Sequence, residues 1–166
     1  MSLGKKLVQS AHKEAVMKRP FPLEAQAAQP LAKGGEVRAS AKIADTDRFS
    51  KMTSEVKVKV EGAKAGKNDA SATQKAERFA ERATYLSEGL RHVETDVGGT
   101  AIVRSTPETM AGRGAPYYEA AVREDEITLR RYSGGAKREQ IPFCVTDDVL
   151  GRVVEDAAAV LAPEKK

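Results

Sequence analysis

The chain has 166 residues, of which 40% are hydrophobic and 5% aromatic, and its net charge is +4. This size and composition predict one small domain with a modest core. The single cysteine, Cys144, excludes an internal disulfide, and the sequence shows no metal-ligand spacing around it. No apolar run reaches the roughly 18 residues that a membrane-spanning helix needs. We therefore expect a cytoplasmic protein with no membrane span, no metal and no other cofactor.

The basic excess lies in the first part of the chain. Residues 1–70 carry 14 Lys and Arg against 8 Asp and Glu, which is a net +6, whereas residues 71–166 carry 14 against 16, a net −2. Phosphate binding depends on clustered positive charge. The distribution therefore argues against a broad cationic surface on the second part.

Residues 1–50 are predicted to form an N-terminal arm that is disordered or partly helical. Residues 3–18 place apolar side chains on one helical stripe, so they form either an element that docks on a partner or a membrane surface, or a marginal helix at a mobile terminus. We favour the marginal helix, because the stripe is mostly Ala and Val. Residues 19–50, with three prolines and a Gly34-Gly35 pair, have no sustained period and predict a linker.

Residues 51–166 are predicted to form a single α+β domain. Its first segment, residues 51–61, alternates valines with Lys57 and Lys59, as a strand with one buried face does. Lysines on the solvent side are typical of an edge strand that resists aggregation.

A helix is predicted to follow from a Ser-x-x-Gln capping box at Ser71, with an apolar stripe that includes Phe79. Residues 90–96 and 100–105 then have the pattern of two strands joined by a glycine-containing hairpin. Residues 116–146 contain three apolar-alternating runs separated by two polar turns, which predicts an antiparallel meander.

A last helix is predicted to begin near Asp147, where negative charge meets the positive end of the helix dipole. The element order therefore predicts an antiparallel sheet of about five to six strands, with two helices packed on one face. The last four strands and this helix resemble the ββββα unit of the PUR class of single-stranded DNA-binding proteins, and the helix, sheet, helix order is similar to frataxin. Both resemblances imply a fold and no functional residues.

The face of this sheet opposite the helices is the candidate site. Aromatic stacking beside cationic contacts is how open sheets hold single-stranded nucleic acid. Tyr and Arg are also common on polar strand faces for β propensity and solubility, and nearby glutamates neutralise the arginines. The candidate binding residues are Tyr117, Arg123, Arg130, Tyr132 and Arg138.

The sequence contains no recognisable catalytic motif: no positioned histidine or carboxylate pair, no activated nucleophile and no glycine-rich phosphate loop. It therefore predicts a non-catalytic binding or adaptor domain that acts through the open sheet face and the basic N-terminal arm. The expected partner is a protein or a second copy, as in a homodimer. The alternative is single-stranded nucleic-acid binding through the Tyr/Arg face, and the third hypothesis is a small enzyme.

Overall fold

The computed structural model describes residues 1–16, 22–63, 69–86, 88–105, 115–134 and 138–162. These residues form three helices and nine strands. The helices are α1 (Leu3–Val16), α2 (Ala72–Arg82) and α3 (Asp147–Leu161). The strands are β1 (Leu23–Pro30), β2 (Glu36–Thr46), β3 (Ser50–Glu61), β4 (Leu90–Thr95), β5 (Ala101–Ser105), β6 (Tyr117–Val122), β7 (Glu126–Tyr132), β8 (Gln140–Ile141) and β9 (Phe143–Thr146).

All nine strands belong to one antiparallel sheet, in the order β1-β2-β3-β7-β6-β5-β4. The short strands β8 and β9 fill the gap where β3 and β7 diverge, because β8 pairs with β7 and β9 pairs with β3. The predicted α+β class and antiparallel sheet are confirmed. The sheet is larger than the five to six strands expected, and a third helix joins the two that were predicted.

The predicted linker is wrong over residues 22–50. Strand β1 pairs with β2 over eight residues without a register break, and β2 pairs with β3, so the sheet continues across position 50. A turn with positive φ at Gly34 and Gly35 joins β1 to β2. The buried side of these strands is largely alanine, a residue depleted in strands, and this hid the alternation. Residues 17 and 18 of the predicted helix and residues 19–21 of the predicted linker lie outside the described residues.

Helix α1 is part of the core, so the expectation of a marginal helix at a mobile terminus is wrong. Its side chains Leu3, Leu7 and Ala11 are buried, and it packs on β1, β2 and α3. A close backbone approach joins the two helices, since a Cβ on Gly4 would overlap the Gly151 carbonyl of α3. The basic N-terminal segment is therefore not a free arm over the residues described.

The three helices lie on one face of the sheet. Helix α1 covers β1 and β2, α3 covers β3 and β9, and α2 covers β4, β5 and β6. Alternate strand residues such as Val58, Leu129 and Phe143 are buried beneath them, together with Phe79 of α2. The prediction of helices packed on a single face is confirmed, with α1 as the addition.

Strand β3 lies in the middle of the sheet between β2 and β7, and the prediction that it is an edge strand is wrong. Lys57 and Lys59 do lie on the side away from the helices, because they alternate with the buried Val56 and Val58. The edges of the described sheet are β1 and β4. A register break after His92 interrupts β4, and irregular pairing of this kind protects an edge.

Candidate binding face

The side of the sheet away from the helices, called the open face below, has no second layer in the described part of the chain. Its central feature is a row of charged side chains that runs across the strands, because cross-strand partners lie on the same face. We call it the charge row. In sheet order from β1 to β4 it consists of Glu24, Lys42, Glu55, Arg130, Glu119, Arg104 and Arg91.

Glu55 is buried on the open face although none of the described helices covers it there. The Arg130 guanidinium lies 3.0 Å from its carboxylate, and the ammonium groups of Lys42 and Lys57 each lie 3.7 Å from it. The exposed fraction of the Glu55 side chain is 8%. Burial alone would lower the pKa of Arg130, but hydrogen bonds with Tyr132 and Glu55, together with the charges of these groups, raise that pKa.

Glu119 occupies a similar position in the next strand. Its carboxylate contacts the guanidinium of Arg138 and lies 3.4 Å from that of Arg104, and its side chain is 6% exposed. Both arginines also contact rings. The guanidinium carbon of Arg138 lies 3.9 Å from the centroid of Tyr132, and that of Arg104 lies 5.9 Å from the centroid of Tyr117.

Tyr117 and Tyr132 are directly opposite each other on β6 and β7, with ring centroids 6.0 Å apart and ring planes inclined at 31°. Together with Arg104 and Arg138 they form a compact group, called the tyrosine–arginine cluster below. Both rings are half-buried. The cluster adjoins the charge row, because Arg104 belongs to both.

Four of the five predicted binding residues come together on the open face: Tyr117, Arg130, Tyr132 and Arg138. Arg123 does not join them. It lies in the β6–β7 turn, where its backbone N–H donates to the Glu126 carbonyl at 2.7 Å. Its position six residues beyond Tyr117 corresponds to about 20 Å along an extended chain. The structure therefore does not bring Arg123 together with the other four, and its role in binding stays a prediction.

Sequence reasoning missed the members of the charge row that belong to other strands. Glu24 and Lys42 fall in the segment predicted to be a linker, and Arg104 and Glu119 become neighbours only through the β5–β6 register. Alternation shows that a side chain is on the polar face. It does not show which side chain of the adjacent strand lies opposite.

The thiol of Cys144 is exposed. It lies on β9 opposite Met52 of β3, and the residues on either side of it, Phe143 and Val145, point into the core. Cys144 therefore belongs to the open face, at the end of the sheet where β8 and β9 separate β3 from β7. Within the described residues, no group of three or more His, Cys, Asp or Glu side chains is placed to hold a metal ion.

A second polar cluster lies on the helix side. The Lys51 ammonium is 2.8 Å from Oδ1 of Asp147, and Oδ2 of Asp147 is 2.9 Å from Nε2 of His12. These residues join β3, α3 and α1. Both oxygens of the Asp147 carboxylate are engaged, so the cluster acts as a link between these three elements.

None of the described helices is long and apolar enough to span a membrane. No protein-family model, curated protein or solved structure matches the chain. The similarities in element order to the PUR class and to frataxin therefore stay predictions.

Proposed function

We propose that the chain is a non-catalytic protein-binding domain, and that the open face is its binding surface. The observation that carries this proposal is the one-sided cover of the sheet: the described helices pack on one face, and the other presents a broad surface of both charge signs. Sheets ordinarily bury each face against another layer or leave it to water. A partner protein could supply the second layer on the open face.

The balance of charge favours a protein partner over nucleic acid. Arg130 pairs with Glu55, and Arg104 and Arg138 both pair with Glu119, so the central cations already have carboxylate partners. A phosphate that approached them would meet these two glutamates. Nucleic-acid affinity comes largely from cations that replace counterions on phosphates, and paired arginines contribute little of that effect. A protein surface of mixed charge fits the row better.

The tyrosine–arginine cluster supplies the kind of side chains that dominate protein interfaces, where Tyr and Arg are enriched among the residues that matter most. Its ring–ring contact and its two arginine–ring contacts hold these side chains in place before a partner arrives. Less side-chain freedom is then lost when the partner binds.

The proposal is tested with the Tyr117→Ala/Tyr132→Ala double variant and with Phe49→Ala as a matched control. Phe49 is an exposed aromatic residue in the β2–β3 turn, whereas the tyrosine pair belongs to β6 and β7. Partner proteins bound by the immobilised wild-type chain, including the chain itself, are measured against both variants. We expect at least a tenfold loss of affinity for the double variant and wild-type affinity for Phe49→Ala. Equal binding by all three chains, or no binding by the wild type, rejects the proposal.

Single-stranded nucleic-acid binding is the second candidate function. The arginine–ring contacts of the tyrosine–arginine cluster favour it, since stacking platforms next to cations hold unpaired bases. The test is the fluorescence anisotropy of a labelled oligothymidine at roughly 50 and 200 mM salt, where this function predicts a steep loss of affinity with salt. Tyr132→Ala should weaken such binding as well. No binding at the lower salt concentration rejects this candidate.

A further inference from the structure

We propose that the partner of the open face is a second copy of the chain, bound face to face about a two-fold axis. The axis lies between the two sheets, runs parallel to the strands and passes between β3 and β7. This inference rests on the proposed function and names the partner of the same surface. The observation that supports the dimer is the order of positive and negative charges along the charge row.

Six consecutive members of the charge row alternate strictly in sign. From β1 to β5 they are Glu24, Lys42, Glu55, Arg130, Glu119 and Arg104. An alternating row with an even number of members is self-complementary, because reversing its direction exchanges the signs. A two-fold axis parallel to the strands reverses the row of the second copy and lays it over the first.

The resulting contacts are all between opposite charges. Glu24 faces Arg104 of the partner subunit, Lys42 faces Glu119 of the partner subunit, and Glu55 faces Arg130 of the partner subunit. The two-fold repeats each contact, as in any isologous interface. The three contacts, each occurring twice, therefore join opposite charges at six positions of the interface.

Other axis positions give fewer opposite-charge contacts or join like charges. An axis between β2 and β3 joins opposite charges at only four positions, Glu24 with Arg130 of the partner subunit and Lys42 with Glu55 of the partner subunit. An axis along the charge row would place each side chain against its own copy, so that every contact joins like charges. An axis through β7 would place Lys42 against Arg104 of the partner subunit. An axis between β7 and β6 would place Lys42 against Arg91 of the partner subunit. Like charges placed opposite each other cost free energy and suppress the wrong arrangement.

The next row of the open face is compatible with the same axis. It runs through Gln26, Ser40, Lys57, Thr128, Ala121 and Ile102. The reversed copy places the lysine against a threonine and puts no like charges together. The second row therefore permits the arrangement that the charge row favours. The row beyond it adds Lys59 against Glu126 of the partner subunit and one like-charge contact, Arg38 against Arg123 of the partner subunit.

The charged side chains of the row would not be left without partners in such an interface. Glu55 and Glu119 already have cationic partners in their own chain, so stacking buries paired groups rather than isolated ones. Contacts between exposed charges at the ends of the row are weakened by salt. We therefore expect the dimer to dissociate more readily as salt is added.

The decisive experiment uses two charge reversals at opposite ends of the row, Glu24→Lys and Arg104→Glu, in the full chain. Each variant alone places like charges together at both ends of its own dimer. In an equimolar mixture, one end joins the new lysine to the new glutamate and the other end joins two wild-type residues. We expect dimers for the wild type, at least tenfold weaker association for each variant, and recovery of dimers in the mixture by sedimentation velocity at low salt.

Controls keep this test independent of folding. Glu81→Lys makes the same charge change on the exposed side of α2 and should leave the dimer intact. Circular dichroism and melting temperature check each variant. If Arg104→Glu does not fold, Lys42→Glu replaces it as the second weakening variant, since it would face Glu119 of the partner subunit.

The outcomes separate this inference from the proposed function. A wild-type monomer at the highest soluble concentration, or a dimer that neither reversal weakens, overturns the inference. The binding experiment with the tyrosine variants still decides whether the open face binds another protein. Glu24→Lys and Arg104→Glu variants that are each weakened but fail to combine in the mixture also overturn it, because complementary ends are its specific consequence. Lys42→Glu tests only the weakening and not the recovery.

Discussion

Lys51 and Asp147 form an ion pair that ties the central strand β3 to the start of α3. The ammonium nitrogen lies 2.8 Å from Oδ1 of Asp147, and the Lys51 side chain has no exposed surface. A lysine in a core persists only with a partner, because an unpaired buried charge is very unfavourable. The pair therefore fixes the position of α3 over the sheet.

Replacing Asp147 with Ala should destabilise the fold by about 3–5 kcal/mol, since it leaves Lys51 buried without its counter-charge. The Lys51→Met/Asp147→Ala double variant should recover part of that loss, because no charge is then left in the core. Urea unfolding of the two single variants and the double variant measures the coupling. Additive effects of the two changes would contradict the account of this pair.

Ser71 caps α2 as its sequence predicts: its hydroxyl accepts from the Gln74 N–H at 3.2 Å, and the Gln74 side chain accepts from the Ser71 N–H at 2.9 Å. Ser71→Ala should lower the free energy of unfolding by about 1 kcal/mol, and Ser71→Gly by a few tenths. Chemical denaturation measures both changes. No loss of stability in Ser71→Ala would show that the hydroxyl has no special role.

Local signals of this kind explain which parts of the fold could be predicted from sequence. The capping box predicts α2, and apolar alternation predicts β3, β6 and β7 together with the faces of these strands that the structure buries. The same method failed at β1 and β2, where the buried positions are held by small residues such as Ala25 and Ala41. Alanine fills the narrow space under α1 but carries little hydrophobic signal.

The sequence predicts which side of the sheet carries the polar side chains, but it does not predict which of these side chains contact each other. Alternation places Tyr117, Tyr132 and Arg130 on the polar side, and the structure agrees. Which glutamate neutralises which arginine depends on strand order and register, and both are set by long-range packing. The pairing of Arg130 with Glu55, 75 residues apart in the chain, has no local sequence signature.

Tyr85 should make the protein sensitive to alkaline pH. Burial, with a hydrogen bond from its hydroxyl to Asp156 at 2.8 Å, raises the pKa of Tyr85 far above its usual value of 10.0. A raised pKa in the folded state means that this contribution to stability is complete below pH 10 and is lost as the pH rises above it, where the unfolded chain ionises.

Stability measured by urea unfolding across roughly pH 8 to 11 should therefore fall at the alkaline end, and Tyr85→Phe should flatten that fall. The variant should also be less stable than the wild type at neutral pH, because Asp156 loses its hydroxyl partner. An unchanged pH dependence in Tyr85→Phe would contradict this assignment.

Gly4→Ala should destabilise the fold by about 1–3 kcal/mol, although alanine favours helices, because the added methyl would overlap the Gly151 backbone of α3. Gly89→Ala is the matched control, since a Cβ there would meet no atom within 4 Å. Thermal unfolding compares the two variants. A Gly4→Ala variant as stable as the control would show that the two helices can separate at no cost.

Cys144 gives a direct probe of the proposed dimer. Strands β8 and β9 lie between β3 and β7, so the two-fold axis passes close to the exposed thiol and brings the two copies of Cys144 towards each other. Packed sheets are about 10 Å apart, so a bismaleimide of about that length should join two chains, whereas direct disulfide formation needs a closer approach. Gel electrophoresis after reaction at low salt should show a covalent dimer. Cys144→Ser should abolish this product and Glu24→Lys should reduce it. A dimer in solution that gives no cross-linked product would place the interface on another surface.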